Sequence, residues 1–106
     1  MKLKIVHDTS TRLTWAARLI QEGDLFGLDE DTVYRDHRPM VEFFDTRTPS
    51  CDLGHYVSSV HVQALLAHAD SEPVPLGPDF MWELNPMALR ELKQWLRFTL
   101  NMPPKP

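Results

Sequence analysis

The densest set of chemically capable side chains lies between positions 51 and 68. Cys51, His55, His61 and His68 occur there with the spacing C-x3-H-x5-H-x6-H, and thiolate and imidazole are the ordinary zinc ligands. Structural zinc sites pair their ligands two to four positions apart on each side, and this spacing does not. On one extended strand His55 and His61 share a face, leaving Cys51, His55 and His61 as the only candidate ligand set. The pattern points to separate histidines and an unrelated thiol, and no cofactor is expected. A second group falls where two extended segments end. His7-Asp8 closes the first and Asp45-Thr46-Arg47 the second. If those segments ran parallel as neighbours, His7, Asp8, Asp45 and Arg47 would gather at one mouth, where open α/β sheets often bind ligands. Imidazole and carboxylate there would serve acid–base work, and the guanidinium would hold an anion. Asp and Thr at strand ends also build turns, which is the plainer role.

Charge suggests a different activity. The 106-residue chain carries a net charge of −4, against the basic surplus that phosphate binding needs. The acids are concentrated from Glu22 to Asp45, where eight of them face only Arg35 and Arg38. Asp29, Glu30, Asp31 and Asp36 there, with Phe26 and Tyr34 as aromatic anchors, form a candidate protein-interaction surface. Tyr34-Arg35-Asp36-His37-Arg38 is a compact polar run within it. The last 21 residues hold Arg90, Lys93, Arg97 and Lys105 against Glu91 alone. Arg90, Lys93 and Arg97 share one helical face, a possible weak contact for nucleic acid. Glycine-rich phosphate loops, G-x-S-x-G, H-E-x-x-H and paired CxxC are all absent from the sequence.

The elements that must position these residues are partly legible. Lys2–His7 alternates as a strand. Leu13, Ala16, Ala17 and Ile20 fall at i, i+3, i+4 and i+7 after Thr9-Ser10-Thr11, which predicts an amphipathic helix over 10–22 closed by Gly23. Residues 23–38 read as a loop. Met40–Asp45 is a strand rich in β-branched and aromatic residues. Its adjacent Phe43 and Phe44 must point to opposite faces, and with Phe80 and Trp82 they hint at an apolar patch on a second face. Residues 55–62 read as a strand in hairpin with 40–45, and 62–68 fits strand or helix. Phe80–Leu84 reads as a short strand. Asn85 is an N-cap, Pro86 the first helical residue, and Leu89, Leu92, Leu96 and Leu100 form the stripe of a final helix. Pro103-Pro104 stops it.

The expected fold is therefore α+β: a small, mostly antiparallel sheet of three to four strands with two amphipathic helices on one face, in the order β–α–β–β–(β)–α. Residues 1–102 form a single domain and 103–106 a proline-rich tail. The single cysteine and the lack of an apolar run long enough to span a bilayer suggest a cytoplasmic protein. The functional expectation is a small interaction or accessory module, inhibitor-like, that presents a surface to a protein partner or to another copy of itself. A small acid–base or metal-dependent enzyme is the alternative, and a nucleic-acid binder the third.

Overall fold

The computed structural model describes residues 2–8, 13–26, 31–47, 54–77 and 82–101. Its centre is a four-stranded antiparallel sheet, β1 (Lys2–Asp8), β2 (Leu13–Ile20), β5 (Met40–Asp45) and β6 (His55–His61), in the spatial order β1-β2-β5-β6. Two small ribbons accompany it: β3 (Leu25–Phe26) with β4 (Thr32–Val33), and β7 (Val74–Leu76) with β8 (Trp82–Leu84). Two helices complete the fold, α1 (Val62–Ala67) and α2 (Pro86–Thr99).

The helix predicted over 10–22 is instead a strand, and the reason is its place in the sheet. β2 lies between β1 and β5 and is buried on both faces. Trp15, Ala17 and Leu19 point to one side, and Ala16, Arg18 and Ile20 to the other. A strand buried on both faces needs apolar residues at nearly every position. Such a run satisfies a helical stripe as readily as a strand, so periodicity cannot separate the two. Gly23 does take a left-handed φ of +93°, but the element it closes is β2. Its N–H donates to Tyr34 O at 2.8 Å, and Tyr34 N–H donates to Asp24 O at 2.8 Å. The segment expected as a loop thereby folds back as the β3–β4 ribbon.

One side of the sheet carries the main core. Val6, Trp15, Ala17, Val41 and Phe43 belong to one cluster with Val62 and Leu65 of α1 and Leu89, Leu92 and Leu96 of α2. The three α2 leucines are fully buried, a gross contribution of about 5–9 kcal/mol. That burial exceeds any helix-propensity term and holds α2 in place. The start of α2 is as the sequence predicts: Asn85 Oδ1 accepts from Ala88 N–H at 2.8 Å, and Pro86 follows the cap. Its end comes earlier than Pro103. Leu100 caps the helix and Asn101 adopts φ +54°, the left-handed residue that satisfies terminal carbonyls. Residues 62–67 resolve as helix. Trp82 corrects a further expectation, since it packs edge-on against Trp15 at 6.3 Å on the core side rather than on the second face. Phe80 lies outside the described residues. Phe43 and Phe44 do point to opposite faces, and both are buried.

Candidate functional site

The strand-end group is assembled only in part. β1 and β5 are each antiparallel to β2, so they run parallel to one another with β2 between them. Their C-terminal ends therefore lie at the same end of the sheet, but not as neighbours. Alternation then separates the side chains. His7, opposite Thr14, is on the second face, whereas Asp45, opposite Trp15, is on the core face. His7 Nδ1 lies 3.2 Å from Thr14 Oγ1. Asp8 is placed opposite Leu13 at the end of the ladder.

The Asp45 carboxylate is held chiefly by Arg47, with a smaller contribution from the His55 charge. Its Oδ1 accepts from Arg47 N–H at 3.0 Å and Nε–H at 3.2 Å, and its Oδ2 accepts from Nη2 at 3.1 Å. Burial pushes the Asp45 carboxyl up, but the Arg47 hydrogen bonds and charge outweigh it and hold the carboxyl below its ordinary range. Arg47 also lies over the Trp82 ring, 5.4 Å from its centroid. The result is a stacked, charge-compensated corner. A carboxylate held ionised and filled by donors is poorly suited to take up a proton at neutral pH.

The histidines do not converge. A β-bulge in the β5–β6 ladder, between Phe43 and Phe44, puts one extra residue into β6. It reverses the parity, so His55 pairs with Asp45 and His61 with Met40, on opposite faces. The two sit ~20 Å apart along the strand, which corrects the expectation of a shared face. His68 donates Nε2–H to Pro73 O at 2.9 Å. Cys51 lies outside the described residues. Among the described residues no three His, Cys, Asp or Glu side chains group closely enough to hold a metal.

The described part of the acidic segment is tied to the sheet through Tyr34. Tyr34 is buried beneath the ribbon with Ile20 and Met40, its ring edge-on to Phe26 at 5.5 Å and its hydroxyl donating to Arg38 O at 2.7 Å. Burial, and next the Asp36 charge, push the Tyr34 phenol up. Asp36 accepts from Arg38 Nη2 at 2.9 Å and from its backbone N–H at 2.9 Å, and these bonds hold its carboxyl well below the ordinary range. Asp31 is exposed and accepts from Thr32 Oγ1. Asp29 and Glu30 lie outside the described residues. Tyr34 is buried and Phe26 partly buried where the ribbon packs onto the sheet.

The basic face of α2 is also broken up. Arg90 is exposed and Arg97 half-buried, but Lys93 is only 2% exposed. Its ammonium donates to the carbonyl of His68, the C-cap of α1, and to Asp70 Oδ1 at 2.5 Å. A cation there complements the carbonyls that end α1. Lys93 joins the two helices, and only two of the three bases face outward.

The surface that residue-type reasoning passed over is the second face and its β1 margin. At its centre Arg18 and Glu42 sit directly opposite each other on β2 and β5. Glu42 Oε1 accepts from Arg18 Nε–H at 2.8 Å and from Nη2 at 2.6 Å, with both side chains 4% exposed. The guanidinium also lies 5.4 Å from the Phe44 centroid, and Tyr56 packs edge-on against Phe44. A charge inside Leu13–Ile20, and another inside Met40–Asp45, was the available sequence signal. Toward β1 the face opens: Leu3 and Ile5 are 39% and 41% exposed. An open cleft of about 380 Å³ is lined by Lys2, Arg18, Gln21 and Asp24 among others. Its polar groups are mutually engaged, Lys2 with Gln21 Oε1 and Asp24 Oδ2 with Gln21 N–H.

The fold and this surface define a small α+β domain with a four-stranded antiparallel sheet and two helices. No protein family, curated protein or solved structure matches the chain. No helix among the described residues is long and apolar enough to cross a membrane.

Proposed function

We propose that the chain is a protein-interaction module whose contact surface is the open edge of β1 with the adjoining second face, where it receives an extended segment of polypeptide. The observation that carries this reading is the state of that edge. β1 runs for seven residues in unbroken register with β2, from Lys2↔Leu19 to Asp8↔Leu13, and pairs with no other described strand. Its backbone N–H and C=O groups on the outer side are a template for one more strand. Leu3 and Ile5 stand exposed beside it to contact the side chains of that strand. The opposite edge, β6, carries a bulge and turns directly into α1, devices that discourage strand addition.

The test is photo-crosslinking in the source cells, with a benzophenone side chain placed at Leu3 or, as a control, at exposed Gln94 on α2. The expected product is a polypeptide adduct at position 3, mapped by mass spectrometry to an extended segment, and lost when Ile5→Lys places a charge on the edge. No adduct at position 3, an equal adduct at position 94, or an adduct indifferent to Ile5→Lys overturns the reading.

A further inference from the structure

We infer that the strand added to β1 is the β1 strand of a second copy of this chain, paired antiparallel about Ile5. The inference rests on the interaction reading above and names its partner. Residues directly opposite in an antiparallel ladder point to the same face. A two-fold axis normal to the sheet therefore pairs odd positions with odd and even with even, and neighbouring registers differ by two residues per strand. With Ile5 facing Ile5, Lys2 faces the partner's Asp8 and Leu3 faces the partner's His7. All seven residues are used, and the segment Lys-Leu-Lys-Ile-Val-His-Asp becomes complementary to its own reverse. Its positive end meets its negative end twice.

The competing registers are worse for stated reasons. Centring on Lys4 sets two ammonium groups face to face, and like charges directly opposite are destabilising. Centring on Val6 leaves Lys2 and Leu3 unpaired and shortens the ladder to five residues. A parallel pairing would align the lysines of the two strands.

The surroundings permit the Ile5 register. Lys4 is already held by Glu91 of α2 at 3.0 Å and faces the partner's Val6 without opposing a charge. Lys2 donates one of its three N–H groups to Gln21 Oε1. On the second face Leu3 and Ile5 of both copies form one aliphatic row across the junction, covering the side chains exposed in the single chain. The product is a continuous eight-stranded sheet. The net charge of −4 on each copy opposes assembly weakly, so association should strengthen with added salt until the Lys2–Asp8 pairs are themselves screened.

The test is sedimentation velocity of the intact chain over a concentration series. The expected result is a concentration-dependent rise toward the mass of two chains. Asp8→Lys should weaken association about tenfold, because two symmetric pairs turn repulsive. The double variant Lys2→Asp/Asp8→Lys should restore it, and Ile5→Lys should abolish it. Circular dichroism of each variant checks that the fold is kept, and rescue by the double variant separates pairing from misfolding. A monomer at every concentration overturns the self-pairing, while a heterologous adduct at Leu3 would still support the interaction module. A dimer indifferent to Asp8→Lys and Ile5→Lys overturns it as well.

Discussion

Replacing Glu42 with leucine should remove a large part of the fold's stability, and the argument can be made quantitative. Glu42 and Arg18 are each 3% exposed overall and share two hydrogen bonds of 2.6 and 2.8 Å. Arginine cannot shed its proton, so E42L leaves a buried cation without its carboxylate. Breaking a buried pair in this way costs about 3–5 kcal/mol, against a total stability of about 5–15 kcal/mol for a domain of ordinary size. The double variant R18M/E42L removes both charges and keeps roughly the volume, so its cost should stay below about 1.5 kcal/mol. The two substitutions should therefore couple by at least ~2 kcal/mol. Urea unfolding followed by tryptophan fluorescence measures all four corners of the cycle, with an unchanged slope confirming a comparable transition. An E42L cost under ~1 kcal/mol, or single costs that simply add, would show that the pair behaves as a hydrated surface bridge and would refute the reasoning.

Gly54→Ala should destabilise by more than about 2 kcal/mol. Gly54 has φ +114°, and a Cβ there would overlap the carbonyl oxygen of Asp45 and come within 2.9 Å of Thr46 Cα. Thermal melts of the variant check this, and an unchanged midpoint would count against the close approach of the two strands. For Asp45 the folded carboxyl titrates below its unfolded value of ~3.9, so its stabilisation is present above that pH and lost as the pH falls through the folded value. Arg47→Ala removes the guanidinium hydrogen bonds and charge that lower it, and leaves burial, which raises it, opposed only by the backbone N–H of residue 47 and the His55 charge. The Asp45 carboxyl should then titrate higher and acid unfolding begin at a higher pH. Carbon-13 titration of the carboxyl carbon reads this directly, and an unmoved curve would remove Arg47 as the cause.

Legibility followed how many physical constraints each segment carried. α2 was readable because cap, proline and leucine stripe agree over fourteen residues. Leu13–Ile20 was misread because its only strong signal, continuous apolarity, is shared by a central strand and an amphipathic helix. The strand-end group was placed at the correct end of the sheet, yet His7 and Asp45 fall on opposite faces because the intervening strand fixes the parity. The His55/His61 expectation failed on a single extra residue in β6, for which the sequence carries no marker.

By itself the sequence determined the α+β class, the strand at Lys2, the hairpin of 40–45 with 55–61, the opposed faces of Phe43 and Phe44, and the capped final helix. Each follows from local periodicity or a local backbone preference, which act within a few residues. Tertiary structure alone decided that Arg18 meets Glu42, that Lys93 turns inward to α1, that Tyr34 holds a ribbon down, and that β1 is an outer strand of the described sheet. Those outcomes depend on which strand lies beside which. Pairing order is set by burial summed over the whole sheet, a quantity that no single segment contains.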